Sequence, residues 1–441
     1  MDHNTIALLM FSTMLLMMLT GQRVFGAIGF VAVVAAFALW GPGGTQMGFG
    51  SVMKLMKWTP LLTLPMFVYM GYVMSESRLA EDLYRMFHVW FGPLPGGLAI
   101  GTILLMVMIS VMNGLSVAGM AIGATIALPE LLRRNYDKLM ISGVIQAGSS
   151  LGILIPPSVV LVLFSLIARQ PVSELWLAGA IPGLLMATLF VAYIVIRCKL
   201  NPDLAPPMDA EERAAITMRE KLRLLRAGLM PVFIFVAMMV PFLKGWASLT
   251  EASVIGALSA VLAAAVKRRF TWQVFKVSTE NTLKITVMFM LIITAALSFG
   301  AVFDGLGAGR AIEDFFTESL GLGPWQILIL MQLSFLVMGM FLDDTAMLVI
   351  VAPVYVSLAR HLGFDMIWYG VLYTITCQVA YLTPPFGYNL FLMKAMAPKE
   401  FTLPVIYASV IPFVGVMVLT LILVMIFPQL ALWLPHAVLG R

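Results

Sequence analysis

Gly148-Ser149-Ser150-Leu151-Gly152-Ile153-Leu154-Ile155-Pro156-Pro157-Ser158 lies inside an apolar run, residues 139–168, that is long enough to cross a membrane. Proline has no amide hydrogen, and its ring clashes with the carbonyl one turn back. Pro156-Pro157 therefore strips helical partners from the carbonyls around Gly152, Ile153, Leu154 and Ile155. A bilayer offers those carbonyls no water. A broken helix survives there only where its freed groups meet protein, a cavity or a ligand. A second pair, Pro384-Pro385, interrupts residues 366–394 behind Ala380, Tyr381, Leu382 and Thr383. One Pro would read as a structural kink; two Pro-Pro pairs read as a built feature.

The rest of the chain fits a lipid setting. It has 441 residues, 61% hydrophobic and 11% charged. Soluble domains are about 45–50% apolar and about 25% charged, so so few charges exclude a water-facing surface of ordinary size. Against a ruler of roughly 20 apolar residues per span, plain spans fall near 4–20, 26–41, 59–74, 175–196, 229–245, 251–266, 282–302 and 404–432. The stretch Asn4 to Thr20 lacks a basic leader and a cleavage site, so it reads as a span and not a removed signal. Two further stretches, 94–129 and 325–360, are too long for one span and are interrupted at Asn113-Gly114 and Asp343-Asp344. They read as re-entrant hairpins. Amphipathic segments, Ser75 to His88 and Asp304 to Ser319, precede them.

These elements recur in order. Residues 1–196 form one copy, with hairpin 94–129 and broken helix 139–168. Residues 197–228 form a polar linker and amphipathic helix. Residues 229–441 form the second copy, with hairpin 325–360 and broken helix 366–394. Five crossings per copy invert the second relative to the first, the repeat logic of secondary transporters. The expected fold is an all-α polytopic membrane protein with inverted structural repeats, about ten crossings, two re-entrant hairpins and two broken helices. The positive-inside rule supports the count: with the N-terminus outside, twenty of the 27 Lys and Arg fall on the cytoplasmic side. Both termini are then periplasmic. The net charge of +5 reports topology and gives no reason to invoke nucleic acid.

Freed carbonyls at the end of a half-helix make an oxygen cage suited to Na⁺. The hairpin tips can supply the rest: Asn113, Gly114 and Ser116 in the first copy, Asp343, Asp344 and Thr345 in the second. An ionisable residue such as Asp343 within a membrane segment is a functional hypothesis by default; a loop dipping towards water is the bland alternative. Half-helix N-termini favour an anion, which nominates Ser149, Ser150, Thr383 and Asn389 as lining for a small carboxylate or sulfonate. Helix-packing hydroxyls and amides explain the same residues equally well. The four histidines, His3, His88, His361 and His436, have no metal-ligand spacing. No nucleophile–base cluster supports an enzyme, and two cysteines, Cys198 and Cys377, do not make a disulfide framework. Trp58, Trp90, Trp246 and Trp325 fall near predicted interfaces.

The run Ala147–Ser158, Gly339-Met340-Phe341-Leu342-Asp343 and Thr383–Phe391 resemble signatures of the large membrane (M, DctM-like) subunit of tripartite ATP-independent periplasmic (TRAP) transporters. Leu128-Pro129-Glu130, Tyr136-Asp137-Lys138 and Leu177–Gly183 fit too, and the resemblance covers essentially the whole chain. It departs at Asn113-Gly114-Leu115-Ser116 and at Asp344. The resemblance implies an elevator-type carrier in the bacterial inner membrane, Na⁺ coupling with one site per repeat, and no organic cofactor. It implies a first sodium site at Asn113, Ser116, Gly152, Ile155 and Pro157, and a second at Asp343, Thr345, Ala380, Thr383 and Pro385. It also implies a small four-helix membrane subunit (Q) on a separate chain and a periplasmic substrate-binding protein that delivers an organic anion. A stand-alone sodium–anion symporter of the same architecture is the alternative reading. A membrane enzyme would need a polar catalytic cluster that the sequence does not offer, and a structural subunit would not need paired broken helices.

Overall fold

The structure, a computed structural model, describes residues 3–20, 22–41, 43–57, 59–114, 116–208, 216–308, 321–340, 344–384 and 387–440. All regular elements among them are helices. In chain order the α-helices are α1 (His3–Leu19), α2 (Val24–Ala35), α3 (Gly44–Met56), α4 (Thr63–Glu76), α5 (Leu79–Phe91), α6 (Gly97–Asn113), α7 (Ser116–Ile122), α8 (Leu128–Arg133), α9 (Lys138–Ser150) and α10 (Val159–Ala168). There follow α11 (Val172–Leu200), α12 (Met218–Leu243), α13 (Leu249–Val266), α14 (Trp272–Gly305), α15 (Pro324–Gly339), α16 (Asp344–His361), α17 (Met366–Tyr381), α18 (Tyr388–Met396), α19 (Leu403–Ile426) and α20 (Gln429–Leu439). Five of them, α11, α12, α13, α14 and α19, are long and apolar enough to cross a membrane by length and composition.

Burial separates the helices into a centre and a periphery. Every residue of α17 is buried, as is every residue of α9 from Met140 onward. Helices that were surface-facing on one side would show an exposed stripe; these two do not, because neighbours enclose them. Helices α6, α7, α10, α11, α15, α16, α18 and α19 pack around the pair. The periphery is a bundle in which α14 packs on α2, α3 and α4, and α13 packs on α4 and α12. Small residues allow close approach there: the buried face of α13 carries Ala252, Ser253, Gly256, Ala257, Ala260, Ala263 and Ala264. Its exposed face carries Val254, Leu258, Leu262 and Val266, the mark of a side turned to lipid.

Three features differ from the sequence reading. Residues 44–56, which fall between two expected spans, form helix α3, whose Gly48 carbonyl accepts from Ser298 Oγ on α14 at 3.4 Å. The expected span 404–432 is two helices, because α19 ends at Ile426 and Pro428 opens the turn into α20, which packs on α11. The polar linker 197–228 is helical at both ends: α11 runs on to Leu200 and α12 starts at Met218. Charged residues at helix ends lengthen a helix into the interface without costing the span anything, so polarity marks the membrane boundary and not the helix boundary.

Candidate functional site at the helix breaks

The first Pro-Pro break is local chemistry made visible. Helix α9 ends at Ser150, one 3₁₀ turn carries Leu151–Ile153, and α10 restarts at Val159. Ser158 caps the restart: its Oγ accepts from Leu161 N at 3.2 Å and donates to the Ile153 carbonyl. Trp176 Nε1 donates to the Ser158 carbonyl at 3.1 Å. Helix α11 closes on the break from outside. A Cβ added at Gly179 would meet the Leu154 carbonyl at 2.6 Å, and one at Gly183 would meet Ile155 at 2.6 Å. The Leu177–Gly183 motif is thus a small-residue bed for the broken segment.

The first hairpin tip reaches the same place. Helix α6 ends at Asn113, and Gly114 adopts φ +64°. Its carbonyl accepts from Val159 N at 3.3 Å. A Cβ added at Gly114 would lie 2.1 Å from the Pro157 carbonyl oxygen, so only glycine fits. Gly152, Ile155 and Pro157 lie on this one break, and among the described residues no backbone hydrogen bond outside the regular helices ends on their carbonyls. Carbonyl oxygens freed from a helix fit a small hard cation. Of the first candidate sodium set, the Asn113 side chain lies outside the described residues.

Ser116, on α7, turns towards the other half of the chain. It accepts from Asn389 Nδ2 at 3.0 Å, and the same nitrogen reaches Ser149 Oγ at 3.4 Å. Asn389 sits at the start of α18, just past the second Pro-Pro pair. Three predicted site residues from two distant parts of the chain therefore meet. Ser150 is joined to the second half by a residue the sequence reading did not nominate, Gln378, whose Nε2 donates to the Ser150 carbonyl at 2.8 Å. Ser149 and Ser150 also donate to the Gln146 and Ala147 carbonyls, and all of these side chains are buried. In this conformation they form a closed contact between half-helices. Arg360, at the end of α16, adds a third tie by donating to the Ala168 carbonyl at the end of α10, at 2.8 Å.

The second break is described in part. Helix α17 ends at Tyr381, and Thr383 N donates to the Ala380 carbonyl at 3.1 Å while Thr383 Oγ1 donates to the Val379 carbonyl at 2.6 Å. Thr383 Oγ1 can still act as an oxygen ligand through its lone pairs. Hairpin and break approach here too: a Cβ added at Gly339, the last residue of α15, would meet Ala380 Cβ at 2.5 Å. Asp343 and Pro385 lie outside the described residues, as does the Thr345 side chain. Among the described residues no three His, Cys, Asp or Glu converge on a point where a metal could sit. Among the described residues the oxygens available at both breaks are neutral carbonyls and hydroxyls.

At the outer end of the first hairpin the polar groups are paired. Tyr136 accepts from Leu98 N at 3.3 Å, and burial pushes its phenol up to about 12. Glu130 accepts from Arg133 at 2.7 Å and Arg134 at 3.2 Å. Partial burial pushes the Glu130 carboxyl up, but its hydrogen bonds and charge attraction to the two arginines outweigh that and hold it below the usual range.

Apolar helices long enough to span a bilayer, enclosing two broken helices joined by buried hydrogen bonds, define a multi-pass membrane protein of the transporter type. The sequence profile described as "Tripartite ATP-independent periplasmic transporter, DctM component" matches residues 11–430, and the chain belongs to that family. It is 30% identical over 380 residues to the C4-dicarboxylate TRAP transporter large permease protein DctM of Pseudomonas aeruginosa, covering 85% of this chain and 86% of that protein. It is 26% identical over 432 residues to the ectoine TRAP transporter large permease protein TeaC of Halomonas elongata, covering 97% and 98%. The crystal structure of the YdaH transporter of Alcanivorax borkumensis matches with a TM-score of 0.66 over 89% of this chain and 90% of that one. At 15% identity this last likeness concerns the fold alone.

Proposed function

We propose that the chain is the large transmembrane subunit of a sodium-driven, binding-protein-dependent importer of a small organic anion. The observation that carries this reading is the meeting of the first hairpin tip with the first Pro-Pro break, at Gly114 and Pro157. Such a junction of half-helix ends is where secondary transporters hold their coupling ion. On this reading Na⁺ is held by Gly152, Ile155 and Pro157 carbonyls with Asn113 and Ser116 at one break. At the other it is held by Asp343 and Thr345 with Ala380, Thr383 and Pro385. The two copies are inverted repeats, and the enclosed centre moves as a body against the peripheral bundle in an elevator cycle.

The anion binds between the breaks, where Ser149, Ser150, Thr383 and Asn389 become accessible when the closed contact opens. The named relatives carry C4-dicarboxylates and ectoine, which supports a small, polar, carboxylate-bearing substrate. A small four-helix membrane subunit and a periplasmic binding protein complete the transporter, in the bacterial inner membrane with both termini periplasmic. The test is uptake into proteoliposomes holding this chain and the small subunit, with the binding protein outside. Uptake should require both the binding protein and an inward sodium gradient. Uptake by this chain alone, without a binding protein, would overturn the tripartite reading in favour of a stand-alone symporter.

A further inference from the structure

Helix α12 is longer than a membrane requires. Its 26 residues, Met218–Leu243, extend about 39 Å at about 1.5 Å per residue. The hydrocarbon core is about 30 Å thick, and about 40–45 Å with the headgroups. The expected span starts at residue 229, so the first three turns, Met218 to Gly228, stand at the membrane boundary. Their exposed apolar residues form one stripe with Leu229: Met218, Leu222, Leu225 and Leu229 are exposed by 65%, 56%, 40% and 63%. The stripe continues without a break into Val232, Phe233, Val236 and Val240, the exposed side of the span. Beside it, at the spacing of a second stripe, lie Arg219, Arg223 and Arg226, all exposed. Among the described residues none of the three has an ion-pair partner, whereas Glu220, the one acid in these turns, is held by Arg85 at 3.2 Å.

We propose that the first three turns of α12 are a binding strip for anionic phospholipids of the bilayer. Arg219, Arg223 and Arg226 take the headgroup phosphates, and Met218, Leu222, Leu225 and Leu229 lie against the upper acyl chains. Guanidinium groups suit phosphate oxygens because they present paired donors in a plane. The opposite face of the same turns is already anchored: Glu220 pairs with Arg85, and the Lys221 carbonyl accepts from Trp90 Nε1 at 3.3 Å. Both partners are on α5, which packs on hairpin helix α6 through Phe87 and Gly101. Lipid held by α12 thus fixes the depth of α5, and through it the outer part of the first hairpin.

The experiment uses the full chain in nanodiscs of phosphatidylcholine alone or of phosphatidylcholine mixed with phosphatidylglycerol. The thermal unfolding midpoint should be several degrees higher in the mixture. The difference should vanish near 1 M salt, where the screening length falls to about 3 Å. R219Q/R223Q/R226Q should lose the difference while matching the parent in phosphatidylcholine alone, and R219K/R223K/R226K should keep most of it. Should the triple Gln variant fail to insert, R223Q alone should show a reduced difference. Equal midpoints for the unaltered chain in both bilayers would overturn the proposal. So would an undiminished response of the Gln variants, or a shift of the same size on adding inorganic phosphate to phosphatidylcholine nanodiscs.

Discussion

Gly114 concentrates the account in one residue. Its φ of +64° is costly for a residue with a side chain, by about 1–3 kcal/mol. A Cβ there would also overlap the Pro157 carbonyl at 2.1 Å. Gly114→Ala should therefore destabilise the chain by more than the strain alone and abolish sodium-dependent uptake, read as a lowered thermal midpoint and lost transport. Asn389→Leu tests the partner contact. It leaves Ser116 and Ser149 without their donor, at a cost of about 1–3 kcal/mol for buried groups, and should loosen the packing of α7 on α18. A thermal midpoint equal to the parent would show that the bond carries no weight. The polarity of Ser116 and Asn389 was legible in the sequence. Their particular hydrogen bond was not, because 273 residues separate the two and no local pattern reports such a pairing.

At the scale of elements, the breaks were the most legible part of the fold. Proline acts on its own turn, so Pro156-Pro157 set the end of α9 and the start of α10 without reference to anything distant. What holds the break was less legible. Trp176 and Gln378 belong to no motif singled out in the sequence, yet one donates to the Ser158 carbonyl and the other to the Ser150 carbonyl. Helix α3 was missed because Gly44, Gly48, Gly50, Thr45 and Gln46 give it no strong helical or apolar pattern; its packing on α14 supplies what propensity lacks. Ser158→Ala should cost about 1 kcal/mol through loss of the cap, measured as a lower midpoint in detergent. Glu130 gives a pH prediction. Its folded value is depressed, so its contribution is present above the ordinary carboxylate value and is lost as pH falls through the depressed one. Glu130→Gln should flatten this acid limb of the stability profile, and an unchanged limb would remove Glu130 as its source.

For the whole molecule, composition sufficed for the lipid setting, and the order of spans, hairpins and breaks for where the broken helices fall along the chain. It did not show how completely the centre is enclosed, since an apolar helix reads alike whether it faces lipid or protein. Enclosure matters because a buried α9 and α17 can move together only if their ties to each other outnumber their ties outside. Gln378 provides such a tie from α17 to Ser150 on α9, while Asn389 joins α18 to α7 and α9 and Arg360 joins α16 to α10. The central claim is that these joined breaks hold sodium, and unfolding of the purified chain tests it most directly. A ligand that binds only the folded state stabilises it by about 1.4 kcal/mol per site for each tenfold rise above its dissociation constant. At constant ionic strength, replacing choline by sodium should raise the midpoint in a saturable way, and Asp343→Ala should weaken that response. A midpoint that responds identically to sodium, potassium and choline would contradict the account.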